Sequence, residues 1–423
     1  MNRGFLLFVV ALVPLCIHGQ SLQQTLSLRD ALTIGIKNSP DLRAAEAGVD
    51  AARGRFWSGI SLPSPEINIA HEYVPNGLGL ESYTERTIGV TQSFEFPTNY
   101  FLRGSVLASN RDALQAVGEQ ALRRVIRRIR NSYYAAWGTQ RKLRYARDNI
   151  ALSDSIMAKV EVRARVGEAP PLEALTARVQ QSEARNDLMA ARNELAVAYA
   201  ELNNAMGLSR MEFDTSVVLT DSLVASSRPT NIDSLRVLVE ERNPQLWAAR
   251  ARMESATASR ALAWSTLLPS FTVSYFNQMR DGVKDYYGAS LSISVPLWFM
   301  MNTRGQVEES QAGIALAEAE FAATRNTLLV ELRTAVSNLQ NNRNSVRLYE
   351  TDLIPQAEEV YRTANRGYAT GDLSYLEYLQ ARVTLLATRR NYLTTLMNYV
   401  HSETLLDELT GESDDIQLKS EKP

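Results

Sequence analysis

The 423 residues carry 45 Lys and Arg against 47 Asp and Glu, and this balance leaves no electrostatic footprint for a nucleic-acid partner. A single cysteine, Cys16, allows neither a disulfide within the chain nor a thiolate metal site. Stability therefore has to come from packing rather than from covalent staples.

The chain opens MNRGFLLFVVALVPLCIHGQ, with Arg3 ahead of an apolar run over residues 5–17. That pattern predicts a secretory signal peptide over residues 1–19. The alternative, a membrane anchor, is disfavoured because the run is shorter than the roughly 20 apolar residues a spanning helix needs. Leu15 stands before Cys16 where a bacterial lipoprotein signal has a small residue, so the mature chain is expected to carry neither cysteine nor lipid. No later apolar run approaches a spanning helix, and a membrane crossing would have to be made by strands.

Residues 20–207 are read as the first of two similar units. Ser27 followed by Asp30 makes a capping box, and the alanine-rich spacing after it predicts about 35 residues of helix, split at Pro40. Two strands come next, over residues 65–74 and 87–96. The first puts Ile67, Ile69 and Tyr73 on one face; the second puts Ile88, Val90, Phe94 and Phe96 on one face and Thr87, Gly89, Thr91, Ser93 and Glu95 on the other. Such alternation suits a strand between lipid and a wet lumen, and suits a half-buried soluble sheet equally well. Residues 99–165 then run without proline. As one helix they would be on the order of 100 Å long at 1.5 Å per residue, far beyond an ordinary globular helix. A helix returns over residues 172–206, with Ala184, Leu188, Ala191, Leu195, Ala198, Leu202 and Ala205 as its seam.

An irregular segment over residues 208–231 is expected to form a belt around the middle, before the second unit over residues 232–411. Its helix spans about 233–268. Its strands carry Phe271, Val273 and Tyr275, then Leu291, Ile293, Val295 and Leu297, and its long helix follows Trp298 with only Pro355 interrupting. The returning helix shows a heptad of Leu376, Leu379, Val383, Leu386, Leu393, Met397 and Val400. Residues 412–423 are polar and charged and are expected to be disordered. The two units echo each other most plainly at the hairpin turns. VGEAPPLEALTARV at residues 166–179 answers TGDLSYLEYLQARV at residues 370–383, and Gly167 and Gly371 lie 204 residues apart.

Four strands cannot close a barrel, and an open sheet edge in lipid would leave backbone groups unpaired at several kcal/mol each. The chain is thus expected to oligomerise, three copies supplying twelve strands. With these features in place, LRDALTIGIKNSPDLRAAEAGVDAARG, LPSPEINI, their second-unit partners and the two turn segments resemble the TolC family of trimeric outer-membrane efflux ducts across essentially the whole mature chain. PSPEINIAHEY and IGVTQSFEFP are more similar to the CzcC and CusC type of heavy-metal duct than to the multidrug type. The resemblance implies a mainly α fold with a membrane β-barrel: long coiled-coil hairpins in an α-helical barrel, four strands per chain, and an internal two-fold repeat. It also implies an outer-membrane location in a Gram-negative cell, with the helical part in the periplasm. The partners it implies are a homotrimer, a periplasmic adaptor (membrane fusion) protein, an inner-membrane RND-type pump and outer-membrane lipid. The expected activity is passive export, with heavy-metal cations as cargo. Drug efflux or type I secretion is the alternative within that architecture, and a soluble periplasmic coiled-coil scaffold the alternative outside it.

No enzymatic constellation is present: His71 and His401 are far apart, and GxSxG, HExxH and phosphate-cradling glycine loops are lacking. No cofactor or metal site is expected. The basic run with Arg123, Arg124, Arg127, Arg128 and Arg130 is read as a solvated helix face, and Met300 and Met301 as packing. By the resemblance, the adaptor-docking tips are Val166, Gly167, Glu168 and Ala169 in one unit and Thr370, Gly371, Asp372 and Leu373 in the other. Glycine suits such turns because positive φ is often needed there. The resemblance also places a periplasmic gate on Tyr368, Glu377, Gln380 and, as the first-unit counterpart, Glu173. The family's tying arginine falls on Leu373. Glu173 and Glu377 are expected to be equivalent, giving six carboxylates at the mouth of a trimer.

Overall fold

The computed structural model describes residues 25–77, 79–209, 212–221, 223, 231–296 and 299–412, with the backbone alone at 284, 285 and 299–302. The signal peptide with Cys16, Leu297, Trp298, much of the connecting segment, the Met300 and Met301 side chains and the tail past Glu412 lie outside the described residues.

Local signals explain the first elements. Helix α1 (Leu28–Asn38) starts at the Ser27 capping box, where the Asp30 amide donates to Ser27 Oγ at 3.2 Å and the Ser27 amide donates to Asp30 Oδ2 at 3.4 Å. It stops at Pro40, and α2 (Pro40–Ile60) begins there because proline suits the first helical position. Strands β2 (Glu66–Glu72) and β3 (Glu85–Phe94) follow, then α3 (Pro97–Arg165), 69 residues long, and α4 (Pro171–Ala205). The chain then repeats this order. Helices α5 (Ile232–Arg242) and α6 (Pro244–Ser265), again divided at a proline, lead to β5 (Ser270–Arg280) and β6 (Val283–Ser294). Helix α7 (Phe299–Leu348) passes through a π-helical turn (Tyr349–Leu353) into α8 (Ile354–Thr370), and α9 (Tyr375–Thr410) returns. The wider turn sits just ahead of Pro355, which has no N–H for the preceding turn and needs room for its ring. Two short strands, β1 (Thr25–Leu26) and β4 (Val218–Leu219), pair in parallel beside the middle of the helices.

The four long strands form one antiparallel sheet in the order β2-β3-β5-β6. Its apolar face is open: Ile67, Ile69, Val90, Tyr275, Leu291 and Ile293 are all exposed. The helices continue the same lateral order, since α2 packs on α3, α3 on α6 and α6 on α7, while α4 lies along α3 and α9 along α7. The main core sits at mid-length, where Leu32, Ile129, Tyr133, Tyr199, Leu202, Leu328, Leu332 and Tyr399 are almost fully buried. Among the described residues no helix is long and apolar enough to cross a membrane.

Two seams compare differently with the sequence. On α4, Ala184, Ala191, Leu195, Ala198, Leu202 and Ala205 are buried and Leu188 packs against the core, as the heptad predicts. On α9, Leu393 and Val400 are buried, but Leu376 is 70 % exposed and Val383 47 % exposed. The inner face there is held by Tyr375, Tyr378, Ala381, Leu385, Leu396 and Tyr399, because tyrosine rings supply more buried area than the aliphatics counted in the heptad. The basic run also needs correction. Arg123 is buried, its Nη1 donating to the Glu408 carbonyl at 3.1 Å and its Nη2 to the Arg242 carbonyl at 2.8 Å. It thereby satisfies carbonyls at the C-terminal ends of α9 and α5.

Candidate functional site

Both hairpins end in turns that demand glycine. At the first, Gly167 has φ 78°, and the amides of Glu168 and Ala169 return to the Arg163 carbonyl at 2.8 and 3.3 Å before Pro171 starts α4. At the second, Gly371 has φ 87°, and the Leu373 amide donates to the Gly367 carbonyl at 3.1 Å. A Cβ at either glycine would meet nothing within 4 Å, so the left-handed backbone rather than lack of space requires glycine. Val166, Glu168, Thr370 and Asp372 are exposed around these turns, whereas Ala169 is buried and Leu373 folds back toward Gly367.

Behind the turns a second apolar cluster of Ile156, Met157, Val160, Ala177, Tyr368, Tyr375 and Tyr378 joins the two hairpins of the chain. Glu173 enters it from the first turn of α4. The Tyr368 hydroxyl donates to Glu173 Oε1, Arg163 Nη1 lies 3.8 Å from the same oxygen, and the Arg163 guanidinium stands 5.3 Å above the Tyr368 ring. Burial, then the Glu173 carboxylate, pushes the Tyr368 phenol up to about 12. One helical turn deeper, Arg382 is buried and donates to Asn149 Oδ1 at 2.6 Å and to Ser153 Oγ, tying α9 to α3. A carboxylate held by a phenol and a guanidinium thus clamps together two hairpins of one chain.

The four gate residues named from sequence do not converge. Tyr368 and Glu173 meet in the clamp, but Glu377 and Gln380 are exposed on α9. Glu377 is occupied in a capping box, where its Oε2 accepts from the Ser374 amide and hydroxyl, each at 2.8 Å, and these bonds hold its carboxyl below the usual carboxylate range. Glu173 and Glu377 are therefore not equivalent: the Glu173 side chain is only 12 % exposed and is shared between hairpins, while Glu377 serves its own helix. Arg163 was not foreseen. Its one sequence signal is the basic last turn of α3, with Arg163 and Arg165 just ahead of the glycine turn. Among the described residues no group of three or more His, Cys, Asp or Glu is placed to hold a metal ion. His71 stacks on Tyr83 near the sheet's outer end, and His401 lies by Asn131 on the helices.

The family model described as outer membrane efflux protein matches residues 34–208 and 235–412. Over 390 residues the chain is 23 % identical to the cobalt-zinc-cadmium resistance protein CzcC of Cupriavidus metallidurans, covering 91 % of this chain and 90 % of that one. It is 23 % identical over 394 residues to the outer membrane protein TolC of Vibrio cholerae, covering 89 % and 88 %. Its fold superposes on the crystal structure of CusC with a TM-score of 0.78 at 18 % identity, covering 91 % of this chain and 92 % of that chain.

Proposed function

The chain belongs to the outer membrane efflux protein family, and from that membership we propose that it is the outer-membrane duct of a tripartite efflux system. Three copies close a twelve-stranded barrel in outer-membrane lipid. Their helices continue it through the periplasm toward a periplasmic adaptor and an inner-membrane RND-type pump, which supplies the energy.

The observation that carries this reading is the sheet. Its apolar face is open, its opposite face is polar, and its outer strands β2 and β6 each pair on one side only among the described residues. A lipid-facing sheet needs those edges satisfied, and another copy supplies β2 to β6 in the order the sheet already follows. The helical layer supports the same closure. Helix α2 buries only Ala52 within the chain, and the groove between α6 and α7, where small residues such as Ser255, Ala256 and Gly313 alternate with larger ones such as Arg252, Leu262 and Leu316, gives a neighbouring helix a place to seat.

Within that duct, the exposed turns around Gly167 and Gly371 are the adaptor-docking tips. The Arg163–Glu173–Tyr368 clamp keeps the periplasmic end closed, while Glu377 and Gln380 contribute from the exposed side of α9. Heavy-metal cations are the proposed cargo, supported by the match to a cobalt-zinc-cadmium resistance protein along nearly the whole chain. A deletion strain is expected to lose tolerance to cobalt, zinc and cadmium and to regain it on complementation. Unchanged metal tolerance with lost tolerance to organic solvents or dyes would instead identify a drug duct.

A further inference from the structure

The polar face of the sheet is built almost entirely of small or hydrogen-bonding side chains. Asn68 Nδ2 donates to Thr91 Oγ1 at 3.0 Å, Thr91 and Ser274 hydroxyls meet at 3.0 Å, and Ser274 pairs with Ser290 across β5 and β6. Among the described residues of that face one side chain is both large and wholly apolar, Phe276, which alternates with Ser274 and Gln278 along β5. Both of its cross-strand partners are glycine, Gly89 on β3 and Gly288 on β6.

The glycines make room for the ring. A Cβ at Gly89 would lie 3.0 Å from Phe276 Cβ, and one at Gly288 would lie 2.6 Å from Cε2 and 2.8 Å from Cε1. Gly288 does not have the positive φ of the turn glycines, so space rather than backbone conformation requires glycine there. The Phe276 ring thus lies along the sheet over Gly288 instead of standing up from it. We infer that Phe276 sets the bore of the barrel and that Gly288 keeps it wide by letting the ring lie flat. This rests on the trimeric-duct reading, in which symmetry puts three such rings at one level of the lumen. A Cβ at residue 288 overlaps the far end of the ring, and in this inference the ring gives way by swinging into the lumen. A purely structural role, in which an aromatic ring shields a strand glycine, predicts no change in passage.

Strand β5 leaves α6 at Ser270 and reaches its turn at Asp281 and Gly282. A reporter at Thr272, four residues and about 13 Å deeper than Phe276, is therefore reached from the outer mouth only past the ring. The test is labelling of Thr272→Cys, in a Cys16→Ser background, by a small maleimide and by a bulky PEG-maleimide in the purified full-length trimer. Gly288→Ala is expected to slow the bulky reagent several-fold and leave the small one unchanged, and adding Phe276→Ala should restore the rate. Phe276→Trp, which leaves both glycines in place, should also slow the bulky reagent. An unaltered rate in Gly288→Ala and Phe276→Trp, or slowing that persists after Phe276→Ala, would overturn the inference. Failure of even the small maleimide to react in a confirmed trimer of the parent would overturn the duct reading with it.

Discussion

Tyr368→Phe removes one oxygen from the clamp and little else. The ring keeps its neighbours, Tyr375 at 5.7 Å and Tyr378 at 5.4 Å between centroids, so packing between the hairpins is spared. What is lost is the hydroxyl donated to Glu173 Oε1, which leaves that carboxylate with Arg163 at 3.8 Å. A hydrogen bond to a charged group contributes about 1.5–3 kcal/mol. At about 1.4 kcal/mol per factor of ten, the substitution should move the closed-to-open ratio by about ten- to a hundredfold per chain. Arg163→Ala should act in the same direction, because it removes both the cation near Glu173 and the charge over the ring, and the double variant should fall short of the sum of the two effects. Glu377→Gln should have a much smaller effect than Tyr368→Phe, because its carboxylate caps α9 and lies outside the clamp. The assay is single-channel recording in planar bilayers, scoring the fraction of time in high-conductance states. Identical gating of wild-type and Tyr368→Phe channels, both shown to be trimers, would refute the clamp, and so would an opening effect of Glu377→Gln as large as that of Tyr368→Phe.

Further outcomes follow from other parts of the molecule. Arg123→Met should destabilise each chain by about 3 kcal/mol, since it takes the guanidinium from the buried Glu408 carbonyl and the part-buried Arg242 carbonyl; a thermal midpoint equal to wild type would contradict that role. Burial pushes the Glu408 carboxyl above its ordinary range despite Arg127 and Arg124. The folded state therefore holds more protons than the unfolded one between the ordinary and the raised value, and this group's contribution to stability falls as pH rises through that window. Glu408→Gln should flatten that part of the midpoint-against-pH curve, and an unchanged slope would show the carboxyl is not responsible. Replacing Gly167 and Gly371 together with valine imposes roughly 1–3 kcal/mol of backbone strain at each turn. Efflux should be lost while the trimer still forms, and undiminished resistance at equal expression would count against docking at these tips.

Much of the fold was legible because its signals are local. Ser27 with Asp30, Pro40 and Pro244 at helix starts, two-residue alternation in β3 and β5, and the alanine seam of α4 each act within a few residues of themselves. The errors arose where distant segments meet. Resemblance directs attention to Leu373 as the position that ties the gate, yet the guanidinium over Tyr368 comes from Arg163, about 200 residues earlier and on the other hairpin. Arg123 reads as one charge among several on a solvated helix until the ends of α5 and α9 arrive beside it. Glu173 and Glu377 hold matching places in their repeats, but a tyrosine and an arginine face one and a capping serine the other. The Phe276 pocket depends on cross-strand register, which no single strand contains.

The central claim is that four strands per chain become a closed barrel only when three chains meet in the outer membrane. Native mass measurement of the protein extracted from the outer-membrane fraction tests it most directly. The account predicts a complex of three chains with intact strand content. A monomer that keeps its strands, or recovery of the protein only from the soluble periplasmic fraction, would contradict it.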